Sequence, residues 1–326
     1  MFNTSKIISM EQIPTPIDSN VIKEELTRDK FVRKTNFGGN EIYIINHLNA
    51  PNVMKEIGRL REITFRHAGA GTGKAIDIDE FDISEHCYQQ LIVWDPDARE
   101  ILGGYRFILC QERKPGCLKP EYLATYEIFD FSEKFINEYL PYTIELGRSF
   151  VQPDYQSTRK ARKSLYALDN LWDGLGALVA DNPDVLYFFG KVTMYTHFNR
   201  MARNLILHFL YKNFPDPDDL VKPRIPLTPD SDEEEMKRIF TGSTYKENYK
   251  ILSHKVRALG ETIPPLINAY MNLSQTLRVF GTCINPGFGG VEETALMIHI
   301  QDLNSDKVER YIHSYIRNKQ EDIRLQ

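Results

Sequence analysis

A strand-like segment of the chain carries two opposite charges three residues apart. The segment 142–151 has the sequence Y-T-I-E-L-G-R-S-F-V, in which Ile144 and Leu146 are typical of β-strands, whereas Glu145 and Arg148 are ionisable. A carboxyl group whose pKa is raised by burial can act as a general base, and a guanidinium can bind a carboxylate through two hydrogen bonds. We therefore take the pair as a candidate catalytic site. An ion pair that only stabilises the sheet is the alternative.

A basic turn follows this strand. Pro153 and Asp154 end the strand, and an apolar period typical of a helix begins at Leu165. A strand, a basic turn and a helix N-terminus in that order favour a phosphate-sized anion site, because free backbone N–H groups and the helix dipole face the turn. A solvated run of charges is the alternative. The cations of the turn are Arg159, Lys160, Arg162 and Lys163.

Charged residues also precede the strand. Arg106 lies in the middle of a predicted strand, where it either pairs with charges on the sheet surface or binds a carboxylate. Asp79, Glu80 and Asp82 lie close together, and a solvated acidic loop is the alternative to a binding role. The run G-A-G-T-G-K at 69–74 follows a predicted helix and lacks the full spacing of a phosphate loop, so it predicts a lid or connector.

Apolar periodicity predicts the elements that must position these residues. Gly103 and Gly104 lie in a predicted hairpin and indicate a bulge or a close approach of neighbouring backbone. Besides 142–151, strands are predicted in a hairpin at 30–47, in a second hairpin at 89–94 and 101–110, and at 185–194, 277–283 and 294–300. Helices are predicted from Pro51 onward and at 165–180, 197–213, 233–240, 249–259 and 307–319.

Composition limits the class of protein. A chain of 326 residues can bury a sizeable core, and its formal net charge of −5 disfavours a general nucleic-acid binder. The four cysteines form no C-x-x-C pair, which disfavours a zinc site and fits a reducing compartment. The polar N-terminus does not resemble a signal peptide, and no apolar run reaches the ~18–20 residues of a spanning helix. We therefore expect a cytoplasmic protein, soluble or peripheral at the inner face of the membrane.

The motif E-L-G-R-S-F-V-Q-P-D-Y at 145–155 resembles the signature of GNAT-superfamily N-acyltransferases that acylate amino acids from acyl carrier protein. These are the first-step enzymes of ornithine-lipid and glycine-lipid synthesis, often labelled hemolysin-like, and the acyl-homoserine-lactone synthases are more distantly similar. The resemblance continues, in the family's order, through R-L-R-E-I-T-F-R at 59–66, D-I-D-E-F-D at 77–82, L-G-G-Y-R at 102–106, Y-E-I-F-D-F-S at 126–132 and a segment around 280–303.

This resemblance implies an α/β (α+β) fold with a mixed, mostly antiparallel central sheet flanked by helices, whose two central strands splay apart. It implies direct transfer of a long acyl chain, with or without a 3-hydroxyl group, to the α-amine of glycine or ornithine. The donor is the acyl-phosphopantetheine of acyl carrier protein or, as the alternative, acyl-CoA. No permanently bound cofactor is expected. The implied partners are acyl carrier protein and an amino acid, with a peripheral membrane contact left open and no nucleic acid.

The resemblance also assigns roles to individual residues. Glu145 is the expected base and Arg148 its catalytic partner. The donor is expected to contact backbone N–H groups around Ser149 and Val151 and the cations of the basic turn. The positions carried over as acceptor-binding are Arg61, Phe65, Glu80, Asp82 and Arg106. Asp82 and Glu80 hold the acceptor's ammonium group or, as the alternative, pair with Arg61 to fix a helix.

The sequence leaves open the role of the aromatic residues after Tyr126 and part of the function. The aromatic residues Tyr126, Phe129, Phe131 and Phe135 line an acyl groove or belong to the core. No tryptophan follows the helix of Arg61 where lactone synthases carry an adenosyl-binding aromatic residue, so synthesis from S-adenosylmethionine is not expected. An acetyl-CoA-dependent N-acetyltransferase is the second enzyme hypothesis, and a hemolysin-like membrane-active protein is the non-enzymatic one.

The predicted organisation has four parts. Residues 1–29 form a tail and a short helix, and 30–213 form the acyltransferase core. Residues 214–265, which carry prolines and acidic residues without a period, are an insertion or linker with helices. Residues 266–326 supply the closing hairpin of the core and a C-terminal helix.

Overall fold

The computed structural model describes residues 10–111, 118–156 and 161–324, with side chains over the same ranges except 161–165 and 322–324. A large, mostly antiparallel sheet flanked by helices confirms the predicted fold class. The strands are β1 (Phe31–Lys34), β2 (Glu41–Ile45), β3 (Gln89–Asp95), β4 (Glu100–Leu109), β5 (Phe129–Phe131), β6 (Thr143–Val151), β7 (Tyr187–Met194), β8 (Val221–Pro223), β9 (Arg278–Asn285) and β10 (Val291–His299).

Helices cover both faces of the sheet. They are α1 (Ser19–Glu25), α2 (Pro51–His67), α3 (Glu80–Ile83), α4 (Ala161–Asp181), α5 (Arg200–Asn213), α6 (Glu233–Ile239), α7 (Tyr245–Ala258), α8 (Pro265–Met271), α9 (Ser305–Lys307) and α10 (Ser314–Arg324). A π-helical segment, Val308–His313, joins the last two. No helix in the described ranges combines the length and apolar character that crossing a membrane requires.

The order of strands in the large sheet is β1-β2-β3-β4-β6-β7-β10-β9, and β5 pairs with β8 in a separate ribbon. All neighbouring strands of the large sheet are antiparallel except β6 and β7. A parallel pair needs a crossover connection, and α4 lies in the chain between these two strands. The molecule therefore has one parallel junction at the centre of an otherwise antiparallel sheet.

The parallel pairing is short. It runs over four residue pairs, from Thr143 opposite Tyr187 to Leu146 opposite Gly190. Within the described part of the chain, the rest of β6 pairs only with β4, and the rest of β7 only with β10. A gap therefore opens between the carboxyl-terminal halves of β6 and β7.

Local sequence explains much of this framework. Pro51 begins α2 at a position where its missing N–H costs nothing, and Val53, Ile57 and Leu60 are buried on one side of that helix. The close approach predicted at the paired glycines is confirmed, because a Cβ on Gly103 would lie 2.4 Å from the carbonyl oxygen of Phe150.

The segment 214–265 packs against the rest of the molecule. Met236, Leu252 and Val256 are buried in the same apolar cluster as Leu205 of α5. The segment leads directly into α8, which begins at Pro265. No helix is predicted there from the sequence, because seven residues are too short to show a helical period.

Candidate active site

A cavity of about 480 Å³ occupies the gap between β6 and β7. Its walls come from both strands, from α2 and α4, and from the start of α8. Polar groups of Glu145 and Lys191 lie in the same cavity as apolar groups of Phe65, Leu168 and Ile267. The site therefore offers both ionisable groups and an apolar lining, as a reaction between a polar and an apolar substrate requires.

Glu145 lies in the regular, doubly paired half of β6 and is 1% exposed. Its Oε1 accepts hydrogen bonds from the Tyr88 hydroxyl (2.9 Å), the Thr125 hydroxyl (2.9 Å) and the Thr125 backbone N–H (3.0 Å). Its Oε2 is shielded from solvent and has no hydrogen-bond partner among the described residues. Burial raises the pKa of Glu145 above its ordinary value, although the hydrogen bonds from Thr125 and Tyr88 act in the opposite direction.

Arg148 lies in a bulge of β6. Gly147 is opposite Arg106 on β4 and Phe150 is opposite Gly104, so two residues of β6 face one of β4. Arg148 has a φ of 47°, which is uncommon for a residue other than glycine. The bulge allows residues three apart in the strand to approach the same side of the sheet, and both Glu145 and Arg148 line the cavity.

The guanidinium of Arg148 is held by two carboxylates. Its Nε lies 2.9 Å from Oδ2 of Asp77, its Nη2 lies 3.4 Å from Oδ2 of Asp79, and it stacks 4.2 Å from the ring centre of Phe288. Both acids precede α3 in the chain, so Arg148 ties the bulge to this acidic segment.

Two more arginines complete a buried cluster. Arg61 is fully buried and donates from Nη1 to Asp82 at 3.0 Å and from Nη2 to Gln90. Arg106 donates from Nη1 to both oxygens of Asp79, at 2.7 and 2.8 Å. Burial opposes ionisation of Asp82, but the two arginines hold its pKa below its usual range. We call this cluster the arginine–aspartate network; its members are Arg61, Arg106, Arg148, Asp77, Asp79 and Asp82.

Two roles were considered for Asp82 and Glu80: binding the ammonium group of the acceptor, or pairing with Arg61. Asp82 pairs with Arg61 and so fixes α2, as the structural alternative predicted. Glu80 is exposed and does not line the cavity. Phe65, by contrast, lines the cavity and packs edge-to-face on Phe288 with ring centres 5.0 Å apart.

Sequence reasoning missed a second ion pair in the cavity. Lys191 of β7 donates from Nζ to Oε2 of Glu293 on β10 at 2.9 Å, and both side chains are nearly buried. Burial opposes ionisation of Glu293, but Lys191 holds its pKa below the ordinary value. The sequence did contain one sign of this pair, because Lys191 is the only lysine in the largely apolar run 185–194. We call Glu145, Lys191 and Glu293 the cavity group.

The predicted donor contacts are described in part. Ser149 and Val151 line the cavity, and their contact with the donor stays a prediction. Arg159 and Lys160 lie outside the described residues. Arg162 and Lys163 lie in the first turn of α4, and their side chains are not among those described.

The aromatic residues after β4 belong to the core. Phe129 and Phe135 have no exposed surface and pack with Phe189 and Phe280. They do not line the cavity, so of the two alternatives left open by the sequence, groove or core, these two residues follow the second. Phe129 begins the three-residue strand β5, which pairs with β8.

The glycine-rich run at 69–74 binds an internal anion. Glu62 accepts hydrogen bonds from the backbone N–H groups of Thr72 (3.0 Å) and Gly73 (2.9 Å) and from the Thr72 hydroxyl (2.8 Å). Arg66 donates to the same carboxylate at 2.7 Å. The run is therefore a connector fastened to α2, which is one of the two roles predicted for it, lid or connector.

Comparisons with known proteins identify relatives of this chain. Residues 60–165 match the family model described as an acetyltransferase (GNAT) domain. The chain is 54% identical, over 316 residues, to a glycine N(alpha)-acyltransferase of Phocaeicola vulgatus, covering 97% of both chains. It is also 54% identical to a glycine N(alpha)-acyltransferase of Bacteroides thetaiotaomicron, covering 97% of this chain and 94% of the relative.

A solved structure was also matched. It is a CoA-dependent acyl-homoserine lactone synthase, BjaI, with SAM and isopentyl-CoA, at 15% identity. The match covers 51% of this chain and 72% of the synthase, with a TM-score of 0.28, and at that score it carries no argument.

Proposed function

Because the chain belongs to the family of the glycine N(alpha)-acyltransferases and is an amide-forming acyltransferase, we propose that it acylates the α-amine of glycine with a long fatty acyl chain carried by acyl carrier protein. The product, an N-acylglycine, is an aminolipid precursor. The names of the two relatives support glycine as the acceptor. The resemblance of the 145–155 motif to carrier-dependent enzymes supports the donor.

One observation carries the chemical part of this proposal: Glu145 lines the cavity with one oxygen fixed and the other unpartnered. The three hydrogen bonds to Oε1 hold the carboxyl in one orientation. Its raised pKa makes it a better proton acceptor, once ionised, than an exposed glutamate. Tyr88 and Thr125 are then positioning residues for this base.

The transfer needs no covalent intermediate on the enzyme. Glu145 takes a proton from the ammonium group of glycine, directly or through a water molecule, and the amine lone pair attacks the thioester carbonyl carbon. The C–N bond forms, the C–S bond breaks, and the sulfur leaves with the electron pair. The second proton lost by the nitrogen goes to the thiolate, so the products are an amide and a free thiol.

The shape of the site is compatible with a thioester on a flexible arm. The gap between β6 and β7 leaves backbone of β6 near Ser149 and Val151 facing the cavity, where N–H groups can stabilise the developing oxyanion. The basic turn before α4 would bind the phosphate of the arm and the acidic surface of a carrier protein. The cavity exceeds the room that an acetyl group requires.

The arginines fall into different proposed roles. Arg106 lines the cavity and keeps its Nε without a hydrogen-bond partner among the described residues, so it is a candidate to bind the acceptor. Arg148 holds the bulge that shapes the oxyanion site. Arg61 and Asp82 position α2, whose Phe65 forms one wall.

The experiment is an assay of the purified protein with palmitoyl and 3-hydroxypalmitoyl donors on carrier protein and on CoA, and with acetyl-CoA, against a panel of amino acids. We expect amide formation with glycine and a long-chain carrier donor. Turnover confined to acetyl-CoA, or to another amino acid, would overturn the corresponding part of the proposal.

Glu145→Gln tests the base on the same preparations. We expect kcat to fall by roughly 10²–10⁴-fold, as is typical of lost general-base catalysis, with the fold intact. Glu138→Gln is the matched control, because Glu138 is an exposed glutamate in the segment before β6 and does not line the cavity. Full activity of folded Glu145→Gln would remove Glu145 as the base.

A further inference from the structure

Three side-chain positions form a row across the sheet at the entrance to the gap. On β4 and β6, Arg106 is directly opposite Gly147. On β7, Lys191 follows Gly190, the last residue paired with β6, and so occupies the position next to Gly147. Because side chains of directly opposite residues lie on the same face of a sheet, the row places two cations on either side of a residue that has no side chain.

This face is the one that carries Glu145. Glu145 is two residues before Gly147 in β6, and Lys191 is two residues after Phe189, the partner of Glu145 on β7. Side chains two residues apart along a strand share a face. Arg106, Gly147, Lys191 and Glu145 all line the cavity, as that register requires.

Gly147 leaves space between the cations. A Cβ built on this residue would approach the Nε of Arg106 to 3.2 Å and its Cγ to 3.4 Å, so even a methyl group would crowd the guanidinium. The Nε of Arg106 has no hydrogen-bond partner among the described residues, although Nη1 binds Asp79. One N–H of the guanidinium is therefore uncommitted next to the glycine.

Lys191 is held in place from the opposite side. Glu293 accepts from Lys191 at 2.9 Å, from Asn285 at 2.7 Å and from Thr193 at 3.4 Å, so both of its oxygens are engaged. An ammonium group has three donors, and Glu293 takes one of them. The charge of Lys191 also reaches Glu145, whose pKa it lowers against the larger effect of burial.

We propose that Arg106 and Lys191, with Gly147 between them, form a carboxylate-binding cradle that selects acceptors with a carboxylate next to the amine. The proposal rests on the proposed function and adds Lys191 and Gly147 as residues that determine specificity. Glu145 lies one strand repeat away, ~6.8 Å along β6, so a short amino acid can reach the base with its nitrogen while its carboxylate occupies the cradle. Amines without a carboxylate would lack this anchor.

A binding experiment tests the cradle independently of turnover. An N-acylglycine and its carboxamide counterpart, which differ only in the charge of the group that the cradle would hold, are titrated calorimetrically into the protein. We expect the wild type to bind the carboxylate at least tenfold more tightly. Lys191→Met and Gly147→Ala should each lose most of that preference, the first by removing a charge and the second by filling the space without changing any charge.

Two controls keep the result interpretable. Lys250→Met removes an exposed lysine from α7 and should leave the preference unchanged. Because Lys191→Met leaves Glu293 buried without its partner, the double variant Lys191→Met/Glu293→Gln removes both charges and preserves the fold where the single variant does not. A wild type that binds both ligands equally, or a folded double variant that keeps the full preference, would overturn the proposal.

Kinetics separate this proposal from the proposed function. With glycine as acceptor, the double variant should raise KM at least tenfold, and the ratio of kcat/KM for glycine to kcat/KM for glycinamide should fall by a similar factor. Absence of glycine acylation by the wild type would refute the proposed function, whereas the calorimetric preference would still decide the cradle. Equal loss of glycine and glycinamide acylation would refute the cradle alone.

Discussion

Two sets of buried charges meet at the centre of the sheet, and they differ in whether every acid has an ion-pair partner. One set joins β4 and β6 to α2 and the acidic segment 77–82, and the other lies on β6, β7 and β10. In the arginine–aspartate network three cations meet three acids, and every acid contacts a guanidinium within 3.4 Å. The cavity group has one cation for two acids. Lys191 pairs with Glu293, whereas Oε2 of Glu145 has no hydrogen-bond partner among the described residues. Ion pairs to every acid hold the structure together, whereas atoms without a partner, such as Oε2 of Glu145 and Nε of Arg106, are available for a substrate.

The largest effect expected from this difference is on stability. Arg61→Met removes the fully buried guanidinium. It leaves Asp82 with one longer ion pair, to Arg106 at 3.5 Å, beside hydrogen bonds from the Gln90 side chain and the Asp79 backbone N–H. The free energy of unfolding should fall by about 3–5 kcal/mol, because an uncompensated buried charge remains. Urea denaturation of Arg61→Met beside Arg238→Met, an exposed arginine of α6, measures it. Equal stability of the two variants would show that the network does not hold the fold.

Arg148→Lys tests to which set Arg148 belongs. Lysine keeps the charge but cannot contact Asp77 and Asp79 together, so we expect a loss of about 1.5–3 kcal/mol of stability, the range for a hydrogen bond to a charged group. Thermal unfolding and steady-state kinetics on one preparation give both quantities. A kcat that falls tenfold or more without a change in stability would place Arg148 with the cavity group instead.

The pH dependence of Glu145 sharpens the comparison further. Its pKa is raised in the folded state, so its contribution to stability is fully present below the pKa of an unfolded glutamate and is lost as pH rises through the folded value. Activity should change in the opposite direction, because the ionised form is the base.

Unfolding free energy and kcat/KM, each measured across pH, check this prediction. Stability of Glu145→Gln should fall less steeply with rising pH than that of the wild type, and the rising limb of the activity profile should disappear. If kcat/KM of the wild type does not change over the pH range in which its unfolding free energy falls, activity does not depend on ionisation of Glu145. That result would count against Glu145 as the base.

The smallest effect is expected at the basic turn. Replacing Arg162 and Lys163 by glutamate should raise KM for the acyl-carrier donor severalfold and leave kcat nearly unchanged. Added salt should have the same effect on the wild type, because exposed charges are screened over ~8–10 Å. A KM that responds to neither change would exclude the turn from the donor site.

The framework of the site was largely predictable from the sequence. Alternating strands, the proline that begins α2 and the strand of Glu145 all follow from local patterns that the structure confirms. The bulge at Arg148 does not follow from local sequence, because residues 145–151 contain no signal for it beyond Gly147.

The pairing of charges was not predictable from local patterns. Arg148 and Asp77 are 71 residues apart, and Lys191 and Glu293 lie on strands separated by four helices. Which acid meets which base depends on sheet register, and register is fixed by packing over the whole sheet. For the same reason the aromatic residues near Phe129 could not be assigned to groove or core before β5 was placed against β8.

The carboxylate of Glu62 inside the glycine-rich run has a consequence for competing ligands. An anion tethered to the loop's own helix is present at a local concentration of the millimolar order or higher, set by the short connection rather than by the solution. A free phosphate or nucleotide would have to displace this carboxylate from the backbone N–H groups and leave it with Arg66 as its remaining partner. The loop is therefore an anion site that its own chain already occupies.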